Sequence, residues 1–252
     1  MHKSDREFVG ALGKGLAVIE TFSASSARQT LSAVALATGL TRATARRYLR
    51  TLAQLGYAET DGKHFWLTPR VLRLGYAYFS SASLPQTAQP VLDRIGERTG
   101  EVASLATIDG TDVIFLARSD SRRIVVASTN VGQRLPAYCT AIGRALLATL
   151  SQAELERRLK ESLRKKLTPK TKVGFRDLVQ EIQKVKQDGY SVIDEELEIG
   201  LRSIALPVAD SRGLIRIGVS VSVPAGRMTV RQIVRDILPA LKMARASLEQ
   251  LL

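Results

Sequence analysis

The chain has 252 residues, 45% of them hydrophobic, enough for two compact domains with real cores and too apolar for a disordered polymer. Its formal charge is +13 at pH 7, and both parts share it: residues 1–85 hold 11 Lys and Arg against 5 Asp and Glu, the remainder 26 against 19. That balance suits a polyanionic partner without locating it, and a single cysteine, Cys139, excludes an internal disulfide framework and fits a reducing compartment.

Residues Gly10–Phe22 place Leu12, Leu16 and Ile19 at helical spacing and predict a first helix. Ser32–Thr38 predicts a second, short one, Gly39 a tight turn, and Thr41–Leu52 a third helix capped by Thr41. On this third helix Ala45, Tyr48, Leu49 and Leu52 share one arc, while Arg42, Arg46, Arg47 and Arg50 spread over the opposite side. Tyr57–Thr60 and His64–Leu67 then read as two strands around an Asp61-Gly62 hairpin. A basic helix face is ordinarily only solvated. Here it coincides with a glycine turn, a preceding short helix and a following hairpin, the pattern of a winged helix-turn-helix that enters a DNA major groove. Thr41, Arg42, Thr44, Arg46, Arg47 and Arg50 are therefore the expected DNA-contacting residues, with Lys63 of the wing available to the phosphate backbone.

Thr68-Pro69 opens a linker helix expected to run to about Ser83, and Leu72, Leu74, Tyr76, Tyr78 and Phe79 lie too evenly around it for burial in one small domain. That predicts burial against another subunit. Ser80–Pro85 reads as the domain boundary, giving domains of 1–68 and 86–252 with a linker at 69–85. Beyond it the expected elements are a helix over Pro90–Thr99, strands over Val102–Asp109, Val113–Arg118 and near Ile124–Thr129, and helices over Ala141–Leu150, Gln152–Leu163 and Phe175–Asp188. Strands follow over Tyr190–Asp194, Ser203–Ala209 and Leu214–Val223. A final helix starts at a Thr229/Gln232 capping box, with a kink expected at Pro239. The class is α+β: an N-terminal winged helix-turn-helix, a linker helix and an antiparallel-rich C-terminal sensor domain.

No catalytic apparatus is legible. His2 and His64 both lie in the N-terminal part, so the second domain has neither a base for a nucleophile nor a zinc ligand set, and no glycine-rich phosphate loop occurs. No enzyme, metal or cofactor is expected. Asp194-Glu195-Glu196 with Glu198 is read as a structural loop rather than an acid/base pair. Cys139 precedes a helix whose N-terminus would lower a thiol pKa, which keeps a redox-responsive regulator open as an alternative to a small buried hydrophobe.

In Leu214–Val223 the residues Ile215, Ile217, Val219, Val221 and Val223 face one way and Arg216, Gly218, Ser220 and Ser222 the other, and Ser203, Ala205 and Pro207 offer a similar small-residue face. These faces, with the helix start after Thr140, suggest a pocket for an organic carboxylate. Arg134 is assigned to the carboxylate, and Tyr138 and Thr140 to a ring or hydroxyl. Residue chemistry alone leaves Arg134 open between that role and a surface ion pair.

Over essentially its whole length the chain resembles regulators of the IclR family. The resemblance rests on Leu12–Leu16, Gly39-Leu40-Thr41-Arg42, the block Gly132–Ala148 and the block Asp194–Ala205, and it is strongest to the branch governing breakdown of protocatechuate and 4-hydroxybenzoate through β-ketoadipate. It implies a GAF-like effector-binding domain, homodimers or tetramers built as dimers of dimers, double-stranded operator DNA and a small organic acid as partners, and RNA polymerase as a further partner of an activator. Effector contacts implied by the family fall at Ala141, Ile142, Leu201, Ser203, Ser220 and Ser222, and an acidic family contact falls at Ile193, where an apolar wall suits an aromatic or longer acid. A DNA-binding protein without an effector is the other alternative. No window approaches ~18 uninterrupted apolar residues and the first residues lack the apolar centre of a secretory signal, so a soluble cytoplasmic protein with no membrane partner is expected.

Overall fold

Two threonines set the geometry of the N-terminal unit. In a computed structural model that describes residues 7–81, 83–119 and 130–252, the Thr30 side chain accepts from the Ala33 N–H to start α2 (Leu31–Thr38), and Thr41 accepts from the Thr44 N–H to start α3 (Arg42–Gln54). Between them Gly39 adopts φ +66°, a left-handed conformation that a Cβ would strain. α1 (Gly10–Glu20) packs on this pair, and the core is Val18, Val34, Ala35, Ala45, Leu49, Leu52, Ala58 and Phe65.

The wing has three strands rather than two. β1 (Gln29–Thr30) joins β2 (Ala58–Thr60) and β3 (His64–Leu67) in an antiparallel sheet of order β1-β3-β2. A two-residue strand carries no alternation, so sequence periodicity does not mark it. Gly62 takes φ +91° at the hairpin tip, where the Asp61 carboxylate accepts from the N–H groups of Lys63 (2.9 Å) and His64 (2.7 Å). A short turn of 3₁₀ helix at Pro69–Val71 leads into α4 (Leu72–Ser81), on which Leu72, Leu74, Tyr76 and Tyr78 are exposed.

The chain divides into two compact units between Ser81 and Ala82. The segment expected as a small polar boundary is helical at its end, because α5 (Ser83–Thr99) begins there rather than at Pro90. Pro85 falls in the first turn, where its missing N–H costs nothing, and Pro90 removes one helical bond. Ala88, Val91, Leu92 and Ile95 are buried at helical spacing and hold the helix through that loss.

A six-stranded, wholly antiparallel sheet of order β6-β5-β4-β9-β8-β7 organises the C-terminal unit. Its strands are β4 (Val102–Asp109), β5 (Asp112–Arg118), β6 (Arg134–Pro136), β7 (Ser191–Asp194), β8 (Leu201–Ala209) and β9 (Ile215–Pro224). β6 was not expected, being only three residues long, and the strand expected at Ile124–Thr129 lies outside the described residues. One face carries Ile204, Leu206, Val208, Ile217, Val219, Val221 and Val223 against α5 and the C-terminal helix. That helix begins as α9 (Val230–Gln232) with the expected capping box, widens through a π-helical turn at Ile233–Ile237 and continues as α10 (Leu238–Leu251). Pro239 has no N–H for the preceding turn, and the wider π turn is where the chain absorbs that loss.

The opposite face is covered by α6 (Ala141–Leu147), α7 (Gln152–Glu161) and α8 (Phe175–Asp188). α6 lies unusually close to its neighbours. A Cβ on Gly218 would meet Ile142 Cγ2 at 3.0 Å, and a Cβ on Gly143 would run into the Ala137 carbonyl and Cα. The first obstacle is a side chain and can yield, whereas the second is backbone. Gly143→Ala is therefore expected to destabilise the C-terminal unit by about 1–3 kcal/mol, and Gly218→Ala by less, as read from urea unfolding of the full chain. Equal stability of Gly143→Ala and the parent would contradict this packing.

Candidate nucleic-acid interface and small-molecule cavity

The periodicity of α3 separates its buried and exposed sides as its sequence requires. Ala45, Leu49 and Leu52 are buried, while Arg42, Arg46, Arg47 and Arg50 are exposed. Among the described residues none of these four guanidinium groups is held in an ion pair. Arg46 and Arg50 share a concavity of about 370 Å³ with Lys63, Thr60 and Gly62 of the wing, so side chains far apart in sequence form one cationic trough. Arg42 and Arg47 lie outside it. Thr41 and Thr44 are tied up at the helix start, their hydroxyls 2.8 Å apart and Thr44 half-buried.

The wing is braced by a residue that sequence reasoning missed. Arg28 stacks on the Trp66 ring, 4.0 Å from its centroid, and reaches Asp61 at 3.3 Å, while Trp66 Nε1 donates to Glu59 at 3.0 Å. Backbone N–H groups of His64 and Lys63 hold the Asp61 carboxyl down at about 2. Nothing in the sequence near Arg28 signals this, because its partners come from the far side of the hairpin.

In the C-terminal unit a cavity of about 40 Å³ opens between the start of α6 and strands β8 and β9. Thr140, Ala141, Ile142, Leu201, Ser203, Ser220 and Ser222, all expected at a ligand site, line it together. Register explains the meeting: Ser203 pairs with Ser222 and Ala205 with Ser220, so the small-residue faces of two strands coincide, and the Ser203 and Ser222 hydroxyls lie 3.1 Å apart. Ile193 is part of the wall. Cys139, weighed from the sequence only as a redox thiol or a buried filler, also lines it, and Phe115, Leu135 and Leu197, which were not singled out, complete it, although the alternation of β5 puts Phe115 on the same face as buried Val113.

Two expected residues are elsewhere. Arg134 sits on edge strand β6, half-exposed, and pairs with Asp109 at 2.7 Å and Asp112 at 3.3 Å. It is the surface ion-pair partner that residue chemistry left open. Tyr138 is buried, its hydroxyl donating to the Lys165 carbonyl at 2.5 Å, and it lines a separate crevice with Ala137 and Leu159. Among the described residues no charged side chain lines the cavity. The polar groups it offers are serine hydroxyls and the first-turn N–H groups of α6, which a helix leaves without internal partners. Thr140 Oγ1 is engaged, accepting from the Gly143 N–H and donating to the Pro136 carbonyl.

Behind the cavity lies a buried ion pair. The Arg144 Nη1 and Nη2 groups donate to the two Glu196 carboxylate oxygens at 2.7 and 2.6 Å, Arg144 Nε donates to the Tyr138 carbonyl at 2.7 Å, and the Lys172 N–H donates to Glu196 at 2.9 Å. Every polar atom of the fork is matched, as burial demands. The acidic run is thus a structural loop: Glu195 holds φ +56°, its carboxylate accepting from Gly200 N–H at 2.9 Å, and Lys170 and Arg202 engage Asp194.

Cys139 is fully buried, and burial pushes its thiol up to about 12, which outweighs the neighbouring helix start and removes the basis for a low-pKa redox thiol.

An arginine-faced recognition helix with a wing, joined in one chain to an antiparallel domain that encloses a small cavity, defines a DNA-binding transcriptional regulator. Residues 11–62 match the IclR helix-turn-helix domain, and residues 76–249 match the bacterial transcriptional regulator IclR C-terminal domain. The chain belongs to the IclR family. It is 41% identical to the Pca regulon regulatory protein of Pseudomonas putida, covering 97% of this chain and 84% of that protein. It is 36% identical to the p-hydroxybenzoate hydroxylase transcriptional activator of Acinetobacter baylyi, covering 94% and 89%. A transcriptional regulator of Rhodococcus sp. RHA1 has a similar structure, with a TM-score of 0.77 at 44% identity over 96% of this chain and 98% of that one.

Two outcomes follow from this geometry. Glu196→Ala strands the Arg144 guanidinium in the interior and is expected to cost about 3–5 kcal/mol in chemical denaturation. The Cys139 thiol should resist iodoacetamide at pH 8 in the folded protein and react once unfolded. Because its folded pKa lies above the unfolded value of 9.0, its contribution to stability is complete below pH 9 and declines as pH rises toward 12. Rapid alkylation of the native protein would contradict both the burial and the shift.

Proposed function

We propose that this regulator controls genes for the breakdown of a small aromatic acid and that the acid binds in the cavity at the start of α6. The observation that carries the reading is the neutral lining: apolar walls from Phe115, Leu135, Ile142, Ile193 and Leu197 beside the Ser203, Ser220 and Ser222 hydroxyls suit a flat ring with one or two polar substituents, and these walls, which enclose about 40 Å³, part to admit it. The ligand carboxylate is met by the N–H groups of Ala141 and Ile142, without a guanidinium. The p-hydroxybenzoate hydroxylase transcriptional activator of Acinetobacter baylyi supports the aromatic class by its name. So does the solved structure of a double mutant of a transcription-factor inducer-binding domain from Acinetobacter in complex with 3-hydroxybenzoic acid, 27% identical with a TM-score of 0.65 over 68% of this chain and all of that one.

On the DNA side, Arg42, Arg46, Arg47 and Arg50 enter the major groove of an operator, and Lys63 meets the phosphate backbone beside Arg46 and Arg50. Thr41 and Thr44 order the helix start and reach the backbone from it. Residues 1–68 serve DNA and 86–252 the effector, with 69–85 linking them. Exposed Leu72, Leu74, Tyr76 and Tyr78 on α4 support a homodimer or a dimer of dimers in the cytoplasm, binding a two-fold site. The acid acts by its different affinity for two states of the regulator, which shifts their populations.

The test pairs a ligand screen with operator binding. 4-Hydroxybenzoate or protocatechuate should raise the melting temperature of the full chain, as a ligand at 100 times its Kd adds about 2.7 kcal/mol. Ser222→Leu, which fills the cavity, should abolish that rise. Loss of the rise in Arg134→Ala instead would place the ligand elsewhere. On a duplex selected from a random pool, Arg46→Ala should weaken binding by about 1–3 kcal/mol at fixed salt, and unchanged affinity would remove Arg46 from base reading.

A further inference from the structure

A second concavity lies on the other side of the sheet, along the seam of α5 and α10. It measures about 250 Å³ and is lined by Val91, Arg94, Ile95, Arg98, Ala240, Met243, Ala244 and Ser247. Its floor is apolar and well packed, with Val91, Ile95, Ala240 and Ala244 each 5% exposed or less. Its rim is cationic. Arg94 and Arg98 are exposed one helical turn apart, and among the described residues neither is held by a carboxylate. Arg94 Nε donates to the Pro90 carbonyl of its own helix at 3.3 Å, and Arg98 Nη1 points at Met243 Sδ at 3.1 Å, a weak acceptor for a charged donor. Asp93, the acid nearest in sequence to Arg94, is half-buried and accepts from Gln89 at 2.8 Å. Across the seam Met243 is 60% exposed, an adaptable thioether lying over an apolar floor.

We infer that this trough binds an amphipathic organic acid with a linear apolar body, its carboxylate held between Arg94 and Arg98 and its chain lying on Val91, Ile95, Ala240 and Ala244 beneath Met243. Shape favours a linear chain over a compact ring: Val91 to Arg98 spans seven residues of helix, ~10 Å, and the facing stretch of α10 from Ala240 to Ser247 spans the same. Charge selects the head group, since two guanidinium groups one turn apart can engage both oxygens of one carboxylate and, among the described residues, no acid lines the trough to compete. The site is distinct from the neutral cavity at α6, which lies on the opposite face of the sheet and, among the described residues, offers no cation.

Met243 gives the test a local reporter. The full chain labelled at its methionine methyl groups carries Met1, Met228 and Met243, and Met243→Leu assigns the signal. Titration with octanoate should move the Met243 methyl resonance saturably and leave Met228 still. The Arg94→Gln/Arg98→Gln double variant should weaken binding about tenfold or more. Octan-1-ol should bind as weakly to the parent as octanoate does to that variant. The Ser222→Leu variant, with its other cavity filled, should respond to octanoate as the parent does. Four results would overturn the proposal: no saturable shift, equal affinity in the double variant, equal affinity for octan-1-ol, or loss of the shift in Ser222→Leu. A Met243 shift that follows protein concentration rather than octanoate would overturn it too, making the trough an interface between copies.

Discussion

The buried pair of Arg144 and Glu196 is the constraint on which the C-terminal site depends. It joins α6, whose first residues form one wall of the cavity, to the loop carrying Leu197 and leading into Leu201, which form another. Burying two charges is costly, and the cost is offset only by a fully matched set of hydrogen bonds, which here also recruits the Tyr138 carbonyl and the Lys172 N–H. Thr168 and Thr171 extend the net by donating to the carbonyls of Glu195 and Glu196. The wall positions are therefore set by directional bonds as well as by apolar packing, whose contacts tolerate sliding.

A neutral cavity follows from this arrangement. Charge is spent behind the wall, and among the described residues the lining is left with serine hydroxyls and backbone groups in a low-dielectric setting where oriented dipoles are effective. The closeness of α6 to the sheet, permitted by Gly218, brings those groups within reach of β8 and β9, while Gly143 lets the start of the helix fold against Ala137. Cys139 belongs to the same wall as a small apolar filler, and its raised thiol pKa is a consequence of the dryness that shapes the site.

The N-terminal unit uses the opposite strategy. The guanidinium groups of Arg42, Arg46, Arg47 and Arg50 stay in water, without carboxylate partners among the described residues, and the structural tasks on α2 and α3 pass to neutral groups: threonine caps, a glycine turn and an aliphatic arc on α3. The wing is stiffened by Arg28 on Trp66 and by Asp61 gripping its own turn, which fixes Lys63 opposite Arg46 and Arg50. The result is a cationic surface on which, among the described residues, Arg46 and Arg50 are free of intramolecular ion pairs.

Much of this was legible in the chain because it is local. Helical spacing separates the two sides of α3, Asp61-Gly62 announces the hairpin, strict alternation in β9 sorts core from cavity, and Thr229 with Gln232 marks a helix start; each signal lies within a few residues of what it specifies. The family resemblance implied Ala141, Ile142, Leu201, Ser203, Ser220 and Ser222 together, and helix start and strand register bring them to the lining of one cavity. Tertiary structure alone decided that Arg134 turns outward to Asp109 and Asp112, that Tyr138 is a buried tether, that α5 runs through Pro90, and that Arg144 meets Glu196 across 52 residues. An arginine on an apolar helix and a glutamate in an acidic loop carry no mark of one another. Their pairing is a property of how two distant segments are folded together, and only the burial that results makes it compulsory.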